Sequence, residues 1–302
     1  MSFNLEALGV WTEPKHFTVE RERVAAYAAA TNDPIAEHRS GELAPPVFAV
    51  VPAFESSAEA VLAAAPPELL MMLVHGEQDF RYHRPLTPGM ELVTRSAPLG
   101  VRQTSAGVVL AVKSETRTPD GDLVNEQWMS TFFRGAQGEQ NAGEQAPGHA
   151  LEESVRAADP VGEAKQHVDS DQTARYAEPS GDHNPIHLDP DFARAVGLPG
   201  IINHGLCTMA FASHAVLGLA EADPRNLERL AVRFAKPVLP GQDIRTRMWA
   251  AESGSESSSG SGSGSESSSG SGSGSESGFG FETSSDADLV VIKDGLAVFR
   301  RA

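Results

Sequence analysis

The sequence contains a single cysteine and comparatively few basic residues. One cysteine, Cys207, excludes an internal disulfide, and 24 Lys and Arg against 41 Asp and Glu give a net charge of -17. This charge would repel nucleic acid and anionic membrane surfaces over most of the molecule, so neither is an expected partner. An anionic substrate would therefore need a local basic pocket.

Long apolar runs and targeting signals are also missing. No apolar run approaches the roughly 18 residues that cross a bilayer. The first residues, MSFNLEALGVWTEP, lack the basic patch and apolar stretch of a secretory signal. These features predict a soluble globular protein in the cytoplasm. Its 302 residues favour two units of similar size.

Internal repeats indicate a duplication. The stretch FRYHRPLTPG at 80–89 returns as VRFAKPVLPG at 232–241, at an offset of 152 residues. The stretch 27–35 parallels 176–186 once a two-residue gap is allowed. Each half then has the same α+β order, with a short helix, an irregular loop, a longer apolar helix and several alternating strands.

The longer helices are predicted at 53–64 and 205–219, where the residues are apolar enough to lie inside a wrapped sheet. Alternation of apolar and polar residues predicts antiparallel strands. These strands lie at 107–114, 127–133, 230–234 and 244–249.

Two segments are too polar and too rich in small residues to form a core. Residues 253–278 contain only Ser, Gly and three Glu, which predicts a disordered hairpin loop. A tolerated surface insertion or an engineered linker explains it, so the chemistry should survive its removal. Residues 135–148 are the expected boundary between an N-terminal domain (1–140) and a C-terminal domain (150–302).

A last hairpin is predicted after the low-complexity segment. Its arms are the apolar stretches 289–292 and 296–299, and Asp294-Gly295 supplies a two-residue turn of a favoured type.

The stretch YAEPSGDHNPIHLD at 176–189 brings an acid and an imidazole together. Asp182 and His187 would diverge by about 140° on a regular helix. Pro185, however, removes a backbone donor and pushes Asn184 toward extended geometry. Both side chains can then face one water, with one partner accepting its proton while the other supplies a proton across a double bond. A role for Asp182 as a turn cap stays open.

Cofactor motifs are not found. His183 and His187 have the spacing of a metal-binding helical pair, but Pro185 lies between them and no third ligand pattern is nearby. There is no glycine-rich phosphate loop, dinucleotide fingerprint or serine nucleophile elbow. We therefore expect neither a metal nor a cofactor.

Gly205 lies at the start of the second long helix, in PGIINHGLCTM at 199–209. Free N–H groups and the positive dipole end at a helix start suit negative charge on a thioester oxygen. Gly205 is therefore a candidate oxyanion donor. Packing of His204-Gly205 against a strand is an equally good explanation of these residues alone.

The two segments together resemble the (R)-specific enoyl-CoA hydratases and MaoC-like dehydratases. Their motif runs from an aromatic residue through Ser/Thr-Gly-Asp-x-Asn-Pro-Leu/Ile-His, and 176–187 matches it nearly throughout. The likeness implies a hot-dog fold, a long helix wrapped by an antiparallel sheet. It also implies that Asp182 and His187 are the catalytic pair and Gly205 the oxyanion donor. Further candidates for contact with the substrate are Tyr176, Asn184 and Ser213.

The first half resembles the N-terminal domain of two-domain hot-dog hydratases and dehydratases, including mycobacterial-type 3-hydroxyacyl-thioester dehydratases. It departs from the catalytic pattern, because Asp33 remains while Ala36 stands where the histidine should be. Val51-Pro52 occupies the place of the His-Gly pair. We expect this copy to be inert, to complete a double hot-dog and to shape a tunnel for the acyl chain.

Basic side chains are candidates for binding the phosphates of coenzyme A or of a carrier protein, although each alone is better explained as a solvated strand end. They are Arg84, Arg233, Lys236 and Arg245. His75 and His83 are expected to be structural or rim residues.

The resemblance implies a hydro-lyase that interconverts trans-2-enoyl and (R)-3-hydroxyacyl thioesters of coenzyme A or acyl carrier protein. Two alternatives stay open. One is a hot-dog acyl thioesterase, in which water attacks the carbonyl, and the other is an acyl-thioester-binding subunit without activity. A duplicated hot-dog supplies internally the pairing that single hot-dogs achieve by dimerising, so we expect a monomer or a homodimer of double hot-dogs.

Overall fold

The computed structural model describes residues 2–137, 141–251 and 276–300. These residues form two copies of one unit, each a long helix against an antiparallel sheet, which confirms the predicted α+β double hot-dog.

The first half contains three α-helices and six strands. In chain order they are β1 (Lys15–Thr18), α1 (Arg21–Ala30), α2 (Ala36–Arg39), α3 (Val50–Ala64), β2 (Leu73–Tyr82), β3 (Glu91–Thr104), β4 (Gly107–Arg117), β5 (Leu123–Arg134) and β6 (Ala142–Gly143). Short 3-10 helices occupy Leu5–Ala7, Pro46–Ala49 and Pro67–Met72.

The second half repeats this order. Its elements are α4 (Glu153–Arg156), β7 (Gly162–His167), α5 (Gln172–Ser180), α6 (Pro190–Ala195), α7 (Gly205–Leu219), β8 (Leu227–Phe234), β9 (Asp243–Ala251), β10 (Glu276–Ser285) and β11 (Val290–Arg300). Its 3-10 helices are Pro185–His187 and Pro224–Asn226.

A single antiparallel sheet runs through both halves, in the order β1-β3-β4-β5-β2-β8-β11-β10-β9-β7, with β6 paired to β3. The halves join where β2 pairs with β8, from Glu77 opposite Arg233 to Arg81 opposite Arg229. We call this β2–β8 pairing the seam. The repeated stretches 80–89 and 232–241 both begin in it, so the sequence repeat corresponds to an internal pseudo-dimer.

The two long helices form the core of each half. The prediction for α7 is confirmed at both ends, and α3 begins three residues earlier than the predicted Ala53, continuing the turn Pro46–Ala49. The stretch Pro46–Ala64 is long and apolar enough to cross a membrane by length and composition alone. This corrects the expectation that no such run exists. Since 67% of its most apolar part is buried inside the fold, it serves here as a core helix.

The predicted C-terminal hairpin is wrong. Residues Val290–Arg300 form one continuous strand, β11, whose hairpin partner is β10. Asp294 has a φ of 53°, and the pairing of β11 with β8 shifts between Lys293 and Leu296. An Asp-Gly pair can form a bulge as well as a turn, and here the neighbouring strands select the bulge.

The low-complexity segment connects two neighbouring antiparallel strands, because Ala251 at the end of β9 lies opposite Gly278 in β10. The predicted disordered loop at 253–278 falls outside the described residues except for its last three, which belong to β10. The predicted domain limits stay a prediction. Near the expected boundary, β6 still pairs with Gly100 and Val101 of the first half.

Candidate active site

The loop after α5 carries the predicted catalytic pair. Gly181 ends α5 with a φ of 82°, a left-handed conformation that favours glycine after a helix. The Asp182 carboxylate accepts the backbone N–H of Asn184 at 3.1 Å, and Asn184 in turn caps the 3-10 turn by accepting the N–H of Ile186 at 3.2 Å. The loop thus turns back sharply and brings His187 toward Asp182.

His187 is held in one tautomer and one orientation. Its Nδ1–H donates to the carbonyl oxygen of Ile202 at 2.8 Å, which leaves Nε2 as the acceptor nitrogen. Burial lowers the pKa of His187, although the Asp182 charge and the Ile202 carbonyl act in the opposite direction. The imidazole is therefore suited to accept a proton near neutral pH.

His204, the residue before α7, completes this cluster and was not predicted as a site residue. Its ring stacks on that of His187 with centroids 3.8 Å apart and an interplanar angle of 27°. Its Nε2–H donates to the backbone carbonyl of Asp182 at 3.1 Å. Burial first and the neighbouring His187 second lower the pKa of His204 to about 4, so it acts as a neutral support for the loop.

Helix α7 begins at Gly205, as predicted. The first N–H groups of a helix have no partner inside it. Together with the positive end of the helix dipole, they point toward the residues that precede α7. A Cβ at this position would lie 3.4 Å from the ring of Phe234 in β8. Glycine therefore allows the aromatic ring to close on the helix start.

The other predicted substrate contacts have different surroundings. Tyr176 is buried, its ring lies 4.8 Å from that of His204, and its hydroxyl bonds that of Tyr27, the equivalent tyrosine of the first half, at 3.1 Å. Tyr176 therefore packs against His204 and bonds the first half through Tyr27. Asn184 is exposed and is used as the turn cap. Ser213 is buried in the middle of α7 with a hydroxyl that has no partner among the described residues.

Most of the candidate phosphate-binding cations are engaged elsewhere. Arg233 pairs with Glu77 across the seam, and Arg245 pairs with Glu163 at 3.3 Å. Lys236 is exposed and forms no ion pair within the part of the chain that the structure describes. It is therefore the most available of these charges.

Arg84 is the equivalent of Lys236 in the repeat and lies in the opposite half. It pairs with Asp122 at 2.9 Å and lines a cavity of about 60 Å³ together with Tyr82 and Leu227. His83 lines the same cavity and contacts Glu126 at 3.0 Å, as expected for a structural or rim residue.

His75 of β2 reaches the site from the first half. Its ring packs against Phe234 at 4.9 Å, and the charge of Asp182 acts on it. Burial is the main influence and lowers the pKa of His75 to about 4. His75 therefore lies near the loop that carries Asp182, so residues of both halves surround this candidate site.

A metal ion does not fit this arrangement well. Asp182, His187 and His204 each offer a ligand atom, and these atoms lie within 4.8 Å of one another. The lone pairs of an imidazole lie in the ring plane, and two nearly parallel planes 3.8 Å apart cannot converge on one ion. His183 points elsewhere, 3.9 Å from Glu178 at the surface.

The first half retains an Asp–His pair that the sequence comparison missed. His38 follows Asp33 by five residues, as His187 follows Asp182, and its Nδ1–H donates to Asp33 Oδ2 at 2.7 Å. Aligning the two halves with a two-residue gap places Ala36 opposite His187, but Ala36 is only the first residue of α2. The expectation that this half lacks the histidine is wrong.

Comparison with known proteins agrees with the fold. The profile of the "MaoC like domain" matches residues 153–268, and that of the "FAS1-like, dehydratase domain region" matches residues 6–127. The crystal structure of a MaoC-like dehydratase from Phytophthora capsici superposes with a TM-score of 0.79 at 23% identity, covering 99% of each chain. At that identity the likeness concerns the fold.

Curated relatives extend the likeness to the sequence. The enoyl-CoA hydratase 2, peroxisomal, of Arabidopsis thaliana is 30% identical over 59% of this chain, which spans 60% of that relative's length. The 3-hydroxyacyl-thioester dehydratase Y of Mycobacterium tuberculosis is 30% identical over 275 residues, covering 84% of this chain and 90% of that protein. The chain therefore belongs to the MaoC-like dehydratase family, in its two-domain, double hot-dog form.

Proposed function

We propose that the chain is a hydro-lyase that interconverts trans-2-enoyl and (R)-3-hydroxyacyl thioesters. The observation that carries the proposal is the convergence of the Asp182 carboxylate with a buried His187 whose Nδ1 is fixed by Ile202. Both lie beside His204, directly before the start of α7. The relatives named above as enoyl-CoA hydratase and 3-hydroxyacyl-thioester dehydratase support it.

In the hydration direction, one water lies between the two side chains. His187 Nε2 accepts a proton from this water as its oxygen bonds C3 of the enoyl group, while the Asp182 carboxylate accepts the other hydrogen and orients the water. The imidazolium then returns the proton to C2. One water is added overall, and dehydration follows the reverse path.

The enolate that forms between these steps carries negative charge on the thioester oxygen. The N–H of Gly205 and the positive end of the α7 dipole are placed to stabilise this charge, which is absent in the substrate. Such an interaction raises kcat, because it is stronger in the transition state than in the ground state.

The acyl group is expected to be carried by coenzyme A or by acyl carrier protein. Lys236 is the best candidate for binding the phosphates of either carrier. A monomer or homodimer and a cytoplasmic location stay predictions. The location needs its own test, because the Arabidopsis relative is named peroxisomal.

The test follows the absorbance of the conjugated enoyl thioester when the purified protein is mixed with crotonyl-CoA and with a medium-chain analogue. Asp182→Asn and His187→Ala should each lower kcat by about 10²–10⁴-fold, since the first removes the carboxylate that orients the water and the second removes the base that accepts its proton. His183→Ala is the matched control, because its side chain is 53% exposed next to the same loop. It should leave kcat unchanged.

Release of free thiol with the conjugated band intact would replace the proposal with thioester hydrolysis. If neither signal changes, the carrier-protein thioester is the next substrate to assay. A protein that binds this thioester without turning it over would be an acyl-thioester-binding subunit.

A further inference from the structure

We propose that Asp33, His38 and His214 are positioning residues that anchor helix α7, and through it the Gly205 N–H. We call these three residues the anchor cluster. The proposal rests on the proposed function, because it assigns the first half an effect on the same reaction.

The anchor cluster is a carboxylate in close contact with one backbone N–H and two imidazoles. Asp33 Oδ1 accepts the backbone N–H of Ile35 at 2.8 Å. Asp33 Oδ2 lies 2.7 Å from His38 Nδ1 and 2.9 Å from His214 Nε2. An ionised carboxylate can only accept, so His38 donates its Nδ1–H to Asp33. His214 Nε2 lies within ion-pair distance of the same oxygen but outside hydrogen-bond geometry.

The cluster is fully buried and charged. The side chains of Asp33 and His38 are 0% exposed and that of His214 is 1% exposed. Burial alone would raise the pKa of Asp33, but the adjacent imidazoles of His214 and His38 outweigh it and hold that pKa well below its usual range. Removing one donor therefore leaves a buried charge without its compensation, which is strongly unfavourable.

The two Asp–His pairs use the same spacing in different ways. In the second half, His187 gives its Nδ1–H to the backbone of Ile202, so Nε2 can face Asp182 across a gap that a water can occupy. In the first half, His38 gives its Nδ1–H directly to Asp33 and both side chains are sealed from solvent. The first pair has no room for substrate water, so its role is a structural one.

The third member of the cluster connects it to the catalytic half. His214 lies on α7, nine residues after Gly205, a distance of about 13 Å along one helix. Asp33 and His38 lie after α1 and in α2 of the first half. The first half thus holds α7 at its middle, and a rigid helix carries any displacement there to its first N–H.

Small displacements of that N–H matter for the reaction. An oxyanion donor acts only when it points at the position the oxygen takes in the transition state, and a misplacement of about 1 Å can cost roughly 10²-fold in rate. We therefore expect a loss of the anchor to lower kcat much more than it changes KM.

The experiment compares Asp33→Asn, His214→Gln and the double variant with the unmodified protein. Each single variant should lower kcat about tenfold or more, with KM changed less than about threefold. The double variant should lose no more than the more impaired single variant, since both changes break one contact. His214→Gln replaces the rigid ring with a flexible amide and leaves Asp33 its hydrogen bonds from Ile35 and His38. It therefore loosens the anchor and preserves the test if Asp33→Asn does not fold.

Ser56→Ala is the matched control. It removes a buried hydrogen bond of 2.8 Å between α3 and Ser96 of β3, also in the first half, and should lower thermal stability without lowering kcat. Hydrogen exchange of peptides covering 203–210 gives a second readout that does not need activity. Exchange there should become at least about tenfold faster in Asp33→Asn and His214→Gln, and should stay unchanged in Ser56→Ala.

Unchanged exchange at 203–210 in folded variants would overturn the proposal, and so would faster exchange with an unchanged kcat. Additive losses in the double variant would also contradict it. If the unmodified protein hydrates no enoyl thioester while the variants still exchange faster, the anchor stands and the proposed function is what has failed.

Discussion

At the residue scale, the proposed catalytic role of His187 depends on one backbone hydrogen bond and on burial. The Ile202 carbonyl fixes the proton on Nδ1, and burial lowers the pKa of the ring, so the neutral form with a free Nε2 is present over a wide pH range. The stacked ring of His204 stays neutral beside it, because burial and the neighbouring His187 lower the pKa of His204 to about 4.

This arrangement predicts the acidic side of the pH profile. The neutral base is needed and its pKa is lowered, so kcat/KM for hydration should stay level as pH falls to about 6.5 and decline only below that value. The measurement is kcat/KM from pH 4 to 9, with His183→Ala giving the same curve. A decline centred above about 6.5 would contradict a neutral, buried base.

At the element scale, the hairpin of β9 and β10 is complete without the low-complexity segment. The two strands pair from Ala251 opposite Gly278 to Ile244 opposite Ser285, and β10 continues its own pairing with β11. The core that these strands cover includes Ile244, Met248 and Phe281.

We therefore expect replacement of residues 252–275 by Asn-Gly to leave kcat/KM within about twofold of the unmodified protein. Shortening the connection lowers the entropy cost of closing it and should raise the free energy of unfolding by roughly 1–2 kcal/mol. Enzyme assays and urea unfolding check the two parts. A large loss of activity in a stable variant would mean that the segment contributes to the site.

At the scale of the whole molecule, a buried ion pair holds the seam between the halves. Asp79 of β2 accepts two hydrogen bonds from Arg229 of β8, at 3.1 and 2.7 Å, and their side chains are only 3% and 13% exposed. The two halves therefore depend on each other for burial as well as for backbone pairing.

Asp79→Ala should lower the free energy of unfolding by about 3–5 kcal/mol, because it leaves the charge of Arg229 largely buried with only the Gly148 carbonyl as acceptor. Arg194→Ala, which breaks an exposed pair with Asp191, should cost less than about 1 kcal/mol. Urea unfolding at fixed pH measures both. Equal small losses would mean that water reaches the seam and compensates Arg229.

Local patterns were enough to predict much of the fold. Apolar composition located α7 to the residue, and alternation located the centres of β4, β5, β8 and β9. The Ser-Gly-Asp-x-Asn-Pro-x-His spacing was enough to place Asp182 and His187 together, because Pro185 and the Asn184 cap act within a few residues. The repeat at an offset of 152 residues predicted the pseudo-dimer.

The sequence by itself therefore determined the duplication, the core helices and the loop that brings Asp182 and His187 together, since each depends on interactions between residues close in the chain. Only the tertiary structure decided that Asp294-Gly295 is a bulge and that His204 stacks on His187. It also showed that Asp33 meets His214 across the two halves. The physical reason is that these contacts join residues far apart in sequence, and their chemistry depends on which group the neighbouring element brings to the buried carboxylate or ring.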